Sequence, residues 1–196
     1  MECPRLIAIS GGMFGGKTEK MIKLAKKAII AKQKVAIFKP SIDVRYSEDN
    51  IISHGAINLK QTTGLSPVVV NNAFELYNSK EYKEADVIFI EEAQFFDKFI
   101  LKVIREALFN GKGVVCAGLD LDANGYPFGF MGDILAMAQE VYKTTAVCSV
   151  CQGDATMSYP KLTLDPGEIK VGGSECYEAR CLKCWLLGQT AKKENG

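Results

Sequence analysis

The chain has 196 residues, 47% of them hydrophobic, and a formal net charge of +1. That length suits one domain of ordinary size, or one domain with a small appendage, and suffices to bury a real core. No uninterrupted apolar run approaches the roughly 20 residues of a bilayer span, which argues against a membrane protein, and the near-neutral charge gives no general pull toward nucleic acid.

Met1-Glu2-Cys3-Pro4 lacks the charged and apolar regions of a secretory signal, so the expected location is cytoplasmic. The apolar run Leu6–Ser10 predicts a first strand. Directly behind it, Gly11-Gly12-Met13-Phe14-Gly15-Gly16-Lys17-Thr18 has the spacing Gly-x-x-x-x-Gly-Lys followed by Ser or Thr. The glycines let successive N–H groups turn inward toward phosphate oxygens. Lys17 would neutralise the β- and γ-phosphates, and Thr18 would offer its hydroxyl to Mg²⁺. A bound nucleoside triphosphate is the expectation.

Lys17–Ala31 follows as an amphipathic helix, with Met21, Ile22, Leu24, Ala25, Ala28 and Ile29 on its buried side. Lys20, Lys23, Lys26 and Lys27 form a solvated face. Further β-rich runs at Val35–Lys39, Val68–Val70, Val87–Glu91 and Val114–Ala117 alternate with helical patterns, the signature of a parallel sheet with crossover helices. Phe95–Phe109 and Met131–Ala138 predict two more helices, the first stopped by Asn110-Gly111. The expected fold class is α/β: a P-loop NTPase-like, mainly parallel sheet flanked by helices, spanning residues 1–143.

Between the second and third strands lies Lys39-Pro40-Ser41-Ile42-Asp43-Val44-Arg45-Tyr46. Arg45 is a candidate for stabilising charge on a transferring phosphoryl group, and Asp43 for orienting it or a metal-bound water. His54, the only histidine, reads as a loop or core residue. The strand Val87–Glu91 runs into Glu92, so an apolar strand ends in two carboxylates, the form of a Walker-B segment. One of the two can hold a Mg²⁺-bound water while the other accepts a proton from a nucleophile. Strand alternation sends them to opposite faces.

From Cys148 the texture changes to short β-like pieces. Cys148-x-x-Cys151 and Cys181-x-x-Cys184 form two knuckle-like pairs, which in a reducing compartment favour tetrahedral structural Zn²⁺ over disulfides or redox pairs. Four thiolates leave no open coordination position, so this metal is a staple. Cys3, Cys116 and Cys176 are expected to be buried or free thiols. Residues 144–188 read as a zinc ribbon with a long excursion, turning at Asp165-Pro166-Gly167 and loosened at Gly172-Gly173. The polar tail 189–196 is expected to be disordered.

With these residues the chain resembles the cytosolic-type, zinc-containing thymidine kinases known as type II, from Ile7 to Cys184. The resemblance is carried by Met13-Phe14 inside the phosphate loop, Asp43-x-Arg45-Tyr46-Ser47, Ser53-His54, and Glu92-Ala93-Gln94-Phe95-Phe96. Gly118-Leu119-Asp120, Pro127-Phe128-Gly129, the four cysteines, and Gly172-Gly173 followed by Tyr177 complete it. It implies transfer of the γ-phosphate of ATP, with Mg²⁺, to the 5′-hydroxyl of thymidine, giving dTMP. Glu92 would be the general base, Glu91 would support Mg²⁺, and Arg45 would contact the phosphates. Met13, Gln94, Phe95, Leu119, Phe128 and Ser158 would line the nucleoside pocket, beneath a lasso formed by Val171, Gly172, Gly173 and Tyr177. The resemblance further implies a homotetramer and feedback inhibition by dTTP, with no nucleic-acid or membrane partner.

The chain departs from that family at several positions. Glu91 stands where Asp is usual, Gly12 and Gly15 replace Pro and Ser, and Ala123 replaces a Phe. The two glycines are expected to loosen the phosphate loop, and Tyr126 is the neighbour that could fill the space left at Ala123. Either Ser158 or Tyr159 takes the place of the family's Thr, and Ser158 is favoured because it keeps the hydroxyl. Three alternatives compete with thymidine phosphorylation: a related deoxynucleoside such as deoxyuridine as substrate, a regulator that has lost catalysis, or a zinc-ribbon ATPase acting on nucleic acid. The chain is short for paired motor domains and has no basic stripe interleaved with aromatics.

Overall fold

The computed structural model of the protein describes residues 4–42, 58–161 and 172–194. In chain order the first unit comprises β1 (Leu6–Ser10), α1 (Lys17–Ile30), β2 (Val35–Pro40), α2 (Leu59–Thr63), β3 (Val68–Val70), α3 (Ala73–Asn78) and α4 (Lys80–Glu84). It continues with β4 (Val87–Ile90), a 3₁₀ turn at Ala93–Phe95, α5 (Phe99–Phe109), β5 (Gly113–Ala117), α6 (Met131–Met137) and β6 (Glu140–Lys143). Its six strands form one sheet in the order β3-β2-β4-β5-β1-β6, and every pairing is parallel. The α/β, P-loop NTPase-like class expected from the sequence is what is found.

Both faces of the sheet are covered over its central strands β1, β4 and β5, which are therefore almost wholly apolar. Leu6 and Ala8 face one core with Ile88, Ile90, Val114 and Cys116, packed by α5 and α6. Ile7 and Ile9 face the other with Val87, Phe89, Val115 and Ala117, packed by α1. Alternation along each strand divides its side chains between the two layers. The complete burial of Cys116 pushes its thiol pKa up, consistent with an inert core cysteine. Tyr82 anchors α4 onto α5 by donating to the Val103 carbonyl at 3.0 Å. Burial, reinforced by Tyr77 and Glu106, raises its hydroxyl pKa to about 12.

Several boundaries differ from the sequence expectation, each for a local reason. The helix expected from Phe95 begins at Phe99, because the 3₁₀ turn intervenes and Asp97 Oδ1 accepts the Phe99 N–H at 2.8 Å. The short helices α2, α3 and α4 each start at a side-chain cap: Asn58 accepts from Gln61 N, Asn72 from Glu75 N and Ser79 from Tyr82 N. A cap satisfies an otherwise orphaned N–H and suffices to start so short a helix. Strand β6 lies beyond the expected five and occupies a sheet edge beside β1.

The second unit is small. β7 (Ala146–Val147) pairs antiparallel with β8 (Asp154–Ala155), and β9 (Met157–Pro160) pairs antiparallel with β10 (Tyr177–Arg180). α7 (Leu182–Glu194) follows and continues past residue 188, the limit expected for this module. Tyr159 of β9 donates its hydroxyl to the Gly188 carbonyl of α7 at 3.1 Å, while Arg180 of β10 stacks over the Tyr159 ring at 3.5 Å. These contacts clamp α7 onto the hairpin.

Candidate functional site

Because all six strands run parallel, their carboxyl ends share one edge, and the crevice outside that edge is where ligands of open α/β sheets collect. The phosphate loop leaves β1 there, Glu91 and Glu92 leave β4, Gly118 to Asp120 leave β5, and Thr144 leaves β6. Sequence spacing supplies these groups, and topology brings them together.

The loop is held tightly. Gly11 takes φ 134, and a Cβ there would collide with the Thr144 carbonyl. Cβ atoms on Gly12 and Gly15 would lie 2.8 Å from the Thr156 carbonyl oxygen and from Thr144 Oγ1, respectively. The expectation that Gly12 and Gly15 loosen the loop is therefore corrected: they permit neighbouring backbone and side chain to press against it. Phe14 adopts φ 65, a conformation that costs a residue of its size about 1–2 kcal/mol. Lys17 Nζ donates to the Gly12 carbonyl at 2.8 Å, and α1 starts at Lys17 with its positive dipole end toward the loop.

The two acids are separated by a turn. Glu91 and Glu92 both follow the end of β4 and are 5% and 9% exposed. Glu91 Oε1 accepts from Thr18 Oγ1 at 2.6 Å. Glu92 has left-handed backbone, φ 49 and ψ 47, so the expected strand alternation is replaced by a local reversal of the chain. Its Oε2 accepts from Gln94 Nε2 at 2.5 Å, and Gln94 Oε1 accepts from Leu119 N at 3.1 Å. Gln94 thus bridges the acid and the loop after β5, with both ends of its amide engaged inside the protein.

The residues expected to line a nucleoside pocket gather in pairs. Met13 N donates to Ser158 Oγ at 3.1 Å, which favours Ser158 over Tyr159 as the residue facing the loop. Phe95 and Phe128 meet edge to face, centroids 5.5 Å apart, and Leu119 reaches the Glu92 side through Gln94. Tyr177 is buried opposite Pro160 in the hairpin that carries Ser158, and Gly173 precedes it, its carbonyl accepting from Tyr177 N at 3.0 Å. Ala123 lies in a turn organised by Asp122, whose Oδ1 accepts from Asn124 N and Tyr126 N at 2.9 Å. Tyr126 is 71% exposed and does not fill the space at Ala123. Asp43, Arg45, His54 and Val171 lie outside the described residues.

Sequence reasoning missed Thr144 and Thr156, the residues that close on the loop glycines, since the signal would have been β6 ending one residue before Thr144. It also missed the pair formed by buried Asp120 and Lys143 Nζ at 2.9 Å, which ties the loop after β5 to the end of β6 across β1.

Cys148, Cys151, Cys181 and Cys184 bring their sulfur atoms within 4.8 Å of one another, with Cys151 and Cys181 at 3.6 Å. Tetrahedral zinc with Zn–S near 2.3 Å requires sulfurs about 3.8 Å apart, so the set fits a closed zinc site. Burial opposes ionisation of Cys148, but backbone N–H groups from Cys151, Cys181 and Val150 outweigh it and bring the thiol down to about 6. Hydrogen bonds from the Cys184 N–H and thiol lower Cys181. Cys184 rises to about 12, chiefly through its hydrogen bond to Cys181. The knuckle N–H groups thus ease loss of a proton from Cys148 and Cys181.

A parallel sheet with a glycine-rich phosphate loop after β1 and paired acids after β4, carrying a four-cysteine module against that loop, defines a P-loop nucleotide-binding protein with an appendage whose cysteines could hold a metal ion. The family model for thymidine kinases matches residues 5–185. A thymidine kinase of Bacteroides thetaiotaomicron is 40% identical over 192 residues, covering 98% of this chain and 90% of the relative. The chain belongs to the thymidine kinase family, and so it is a kinase. Among solved structures, the flagellar accessory protein FlaH from Methanocaldococcus jannaschii is 16% identical, with a TM-score of 0.48 and coverage of 90% and 89% of the two chains. The genome packaging NTPase B204 from Sulfolobus turreted icosahedral virus 2, in complex with ATP-gammaS, is 15% identical, with a TM-score of 0.45 and coverage of 74% and 77%. Both are too distant to bear on function.

Proposed function

We propose that this protein phosphorylates thymidine, transferring the γ-phosphate of ATP to the 5′-hydroxyl and releasing dTMP and ADP. The observation that carries the reading is the separate engagement of the two acids, with Glu91 accepting from Thr18 of the phosphate loop and Glu92 from Gln94, which itself accepts from Leu119 N after β5. In this mechanism the 5′-oxygen attacks the γ-phosphorus, its proton passes to the Glu92 carboxylate, and ADP departs. Lys17 and Arg45 neutralise charge on the phosphates, assisted by loop N–H groups from Gly11 to Gly16, while Asp43 orients Arg45 or a metal-bound water. Thr18 and Glu91 would hold Mg²⁺, which when bound offsets charge on the β- and γ-phosphates. Met13, Gln94, Phe95, Leu119, Phe128 and Ser158 enclose the nucleoside, with Val171, Gly172, Gly173 and Tyr177 above it.

The same proposal divides the chain into a phosphate-binding unit at 1–143 and a zinc and nucleoside-lid unit at 144–188, with 189–196 as a terminal extension. A cytoplasmic setting, homotetrameric assembly and inhibition by dTTP complete it. Among the described residues no helix is long and apolar enough to cross a membrane. The test is to incubate the purified protein with Mg-ATP and a panel of nucleosides and to analyse for 5′-monophosphates. Thymidine is expected to be the preferred acceptor, with deoxyuridine next. ATP consumption that required single-stranded nucleic acid would defeat the reading.

A further inference from the structure

Phe14 lies in the middle of the phosphate loop, yet its side chain belongs to neither core of the sheet. It packs against a separate small cluster formed by Ala146, Cys148, Ala155, Ala179 and Cys184, beside Cys181. Two residues of that cluster, Cys148 and Cys184, and the neighbouring Cys181 belong to the four-cysteine set. The backbone around it is committed in the same direction: Gly11 and Gly12 press on the carbonyls of Thr144 and Thr156, and Met13 N donates to Ser158 Oγ. A bulky side chain at positive φ is retained here although glycine would relieve the strain. Such a conformation persists only where the surrounding packing over-determines it.

We infer that Phe14 is a positioning residue that couples the four-cysteine metal site to the nucleotide site, so that a seated metal holds the phosphate loop in its binding shape. The socket for the ring is made of β7, β8, β10 and the two knuckles, elements too short to keep their spacing by strand pairing alone. A metal bound by all four thiolates fixes that spacing, and the fixed socket holds the ring. Linkage makes the effect mutual: whatever the metal does for nucleotide affinity, bound nucleotide does for metal affinity. The inference rests on the proposed reading of the loop as the ATP site and of the cysteines as the zinc site. It extends the metal's reach from the nucleoside lid to the phosphate donor.

The experiment uses the zinc-loaded protein and two readouts besides turnover. The first is affinity for a fluorescent, non-hydrolysable ATP analogue and, separately, for thymidine. The second is the affinity for zinc, read from the equilibrium extent of zinc release to a chromogenic chelator, with and without saturating analogue. In the natural protein the analogue is expected to tighten zinc binding about fivefold or more. Phe14→Gly is expected to weaken the analogue about tenfold and abolish that protection, with a much smaller change for thymidine. Phe14→Leu, which keeps apolar bulk, should recover most of both. If zinc release from the natural protein ignores the analogue, or if Phe14→Gly keeps the protection, the coupling is overturned while the kinase reading stands. Failure of the natural protein to bind the analogue, or to contain zinc, overturns that reading and the coupling together.

Discussion

Thr18 and Glu91 are joined at 2.6 Å, hydroxyl to carboxylate, which fastens the first turn of α1 to the end of β4. The hydroxyl is the group that a phosphate loop turns toward Mg²⁺, and here it already faces the acid proposed to support the same ion. Thr18→Val keeps the shape of the side chain and deletes the oxygen. We expect kcat/KM for Mg-ATP to fall about 100-fold, with thymidine affinity nearly unchanged. Titration of Mg²⁺ at fixed ATP checks this, because a variant with the natural metal dependence would remove Thr18 from that role.

Glu92 accepts a hydrogen bond from Gln94, whose amide oxygen in turn accepts from Leu119 N. As general base it should be needed for turnover and not for binding, so Glu92→Gln is expected to lower kcat by about 10²–10⁴-fold while thymidine binds almost as before. Calorimetric binding beside steady-state kinetics separates the cases. A large loss of affinity with kcat preserved would falsify the assignment.

Gly12 presses on the Thr156 carbonyl, and a Cβ there would stand 2.8 Å from its oxygen. Gly12→Ala should therefore cost about 1–3 kcal/mol of stability, lowering the melting temperature by roughly 2–12 °C for a domain of this size. Thermal unfolding tests this directly. An unchanged melting temperature would mean that the loop and the second unit are not packed as described.

Tyr82 has its hydroxyl pKa raised to about 12 by burial, against an unfolded value near 10. The folded form therefore retains its proton where the unfolded chain has lost it. Its contribution is full below pH 10 and is lost as pH rises toward 12, by up to about 1.4 kcal/mol per unit. Tyr82→Phe should cost about 0.5–1.5 kcal/mol at neutral pH, through the lost bond to Val103, and show less alkaline destabilisation. Denaturant unfolding of both proteins from pH 8 to 11 gives the comparison. Parallel pH profiles would refute the burial of this hydroxyl.

Removing zinc with a chelator, or replacing a ligand by Cys181→Ser, should act first on the second unit. Hydrogen exchange is expected to quicken in β9, β10 and the knuckles while the strands of the parallel sheet stay protected. Equal loss of protection in both units would contradict a separate, metal-held module.

Much of this molecule is legible in its sequence where the controlling interactions are local. The Leu6–Ser10 and Val68–Val70 strands, the phosphate loop and the cysteine pairs all follow from runs or spacings a few residues long. Strand β6, Glu140–Lys143, escapes because only four residues form it and alternate ones face solvent. The left-handed turn at Glu92 escapes because glutamate carries no preference for positive φ. The closeness of Thr144 and Thr156 to the loop glycines depends on where β6 and β9 travel, and Phe14 packs against a cluster whose residues all lie more than 130 positions away. No local pattern encodes such meetings.

The clamp between Tyr159 and Gly188 bears on where the polypeptide can be shortened. A chain ending just after Cys184 would keep all four clustered cysteines and still deprive the Tyr159 hydroxyl of its carbonyl acceptor on α7. Tyr159 adjoins Ser158, the residue that receives the Met13 N–H from the phosphate loop. Shortening the chain without disturbing that hairpin therefore requires α7 to be kept through Gly188, beyond the last cysteine.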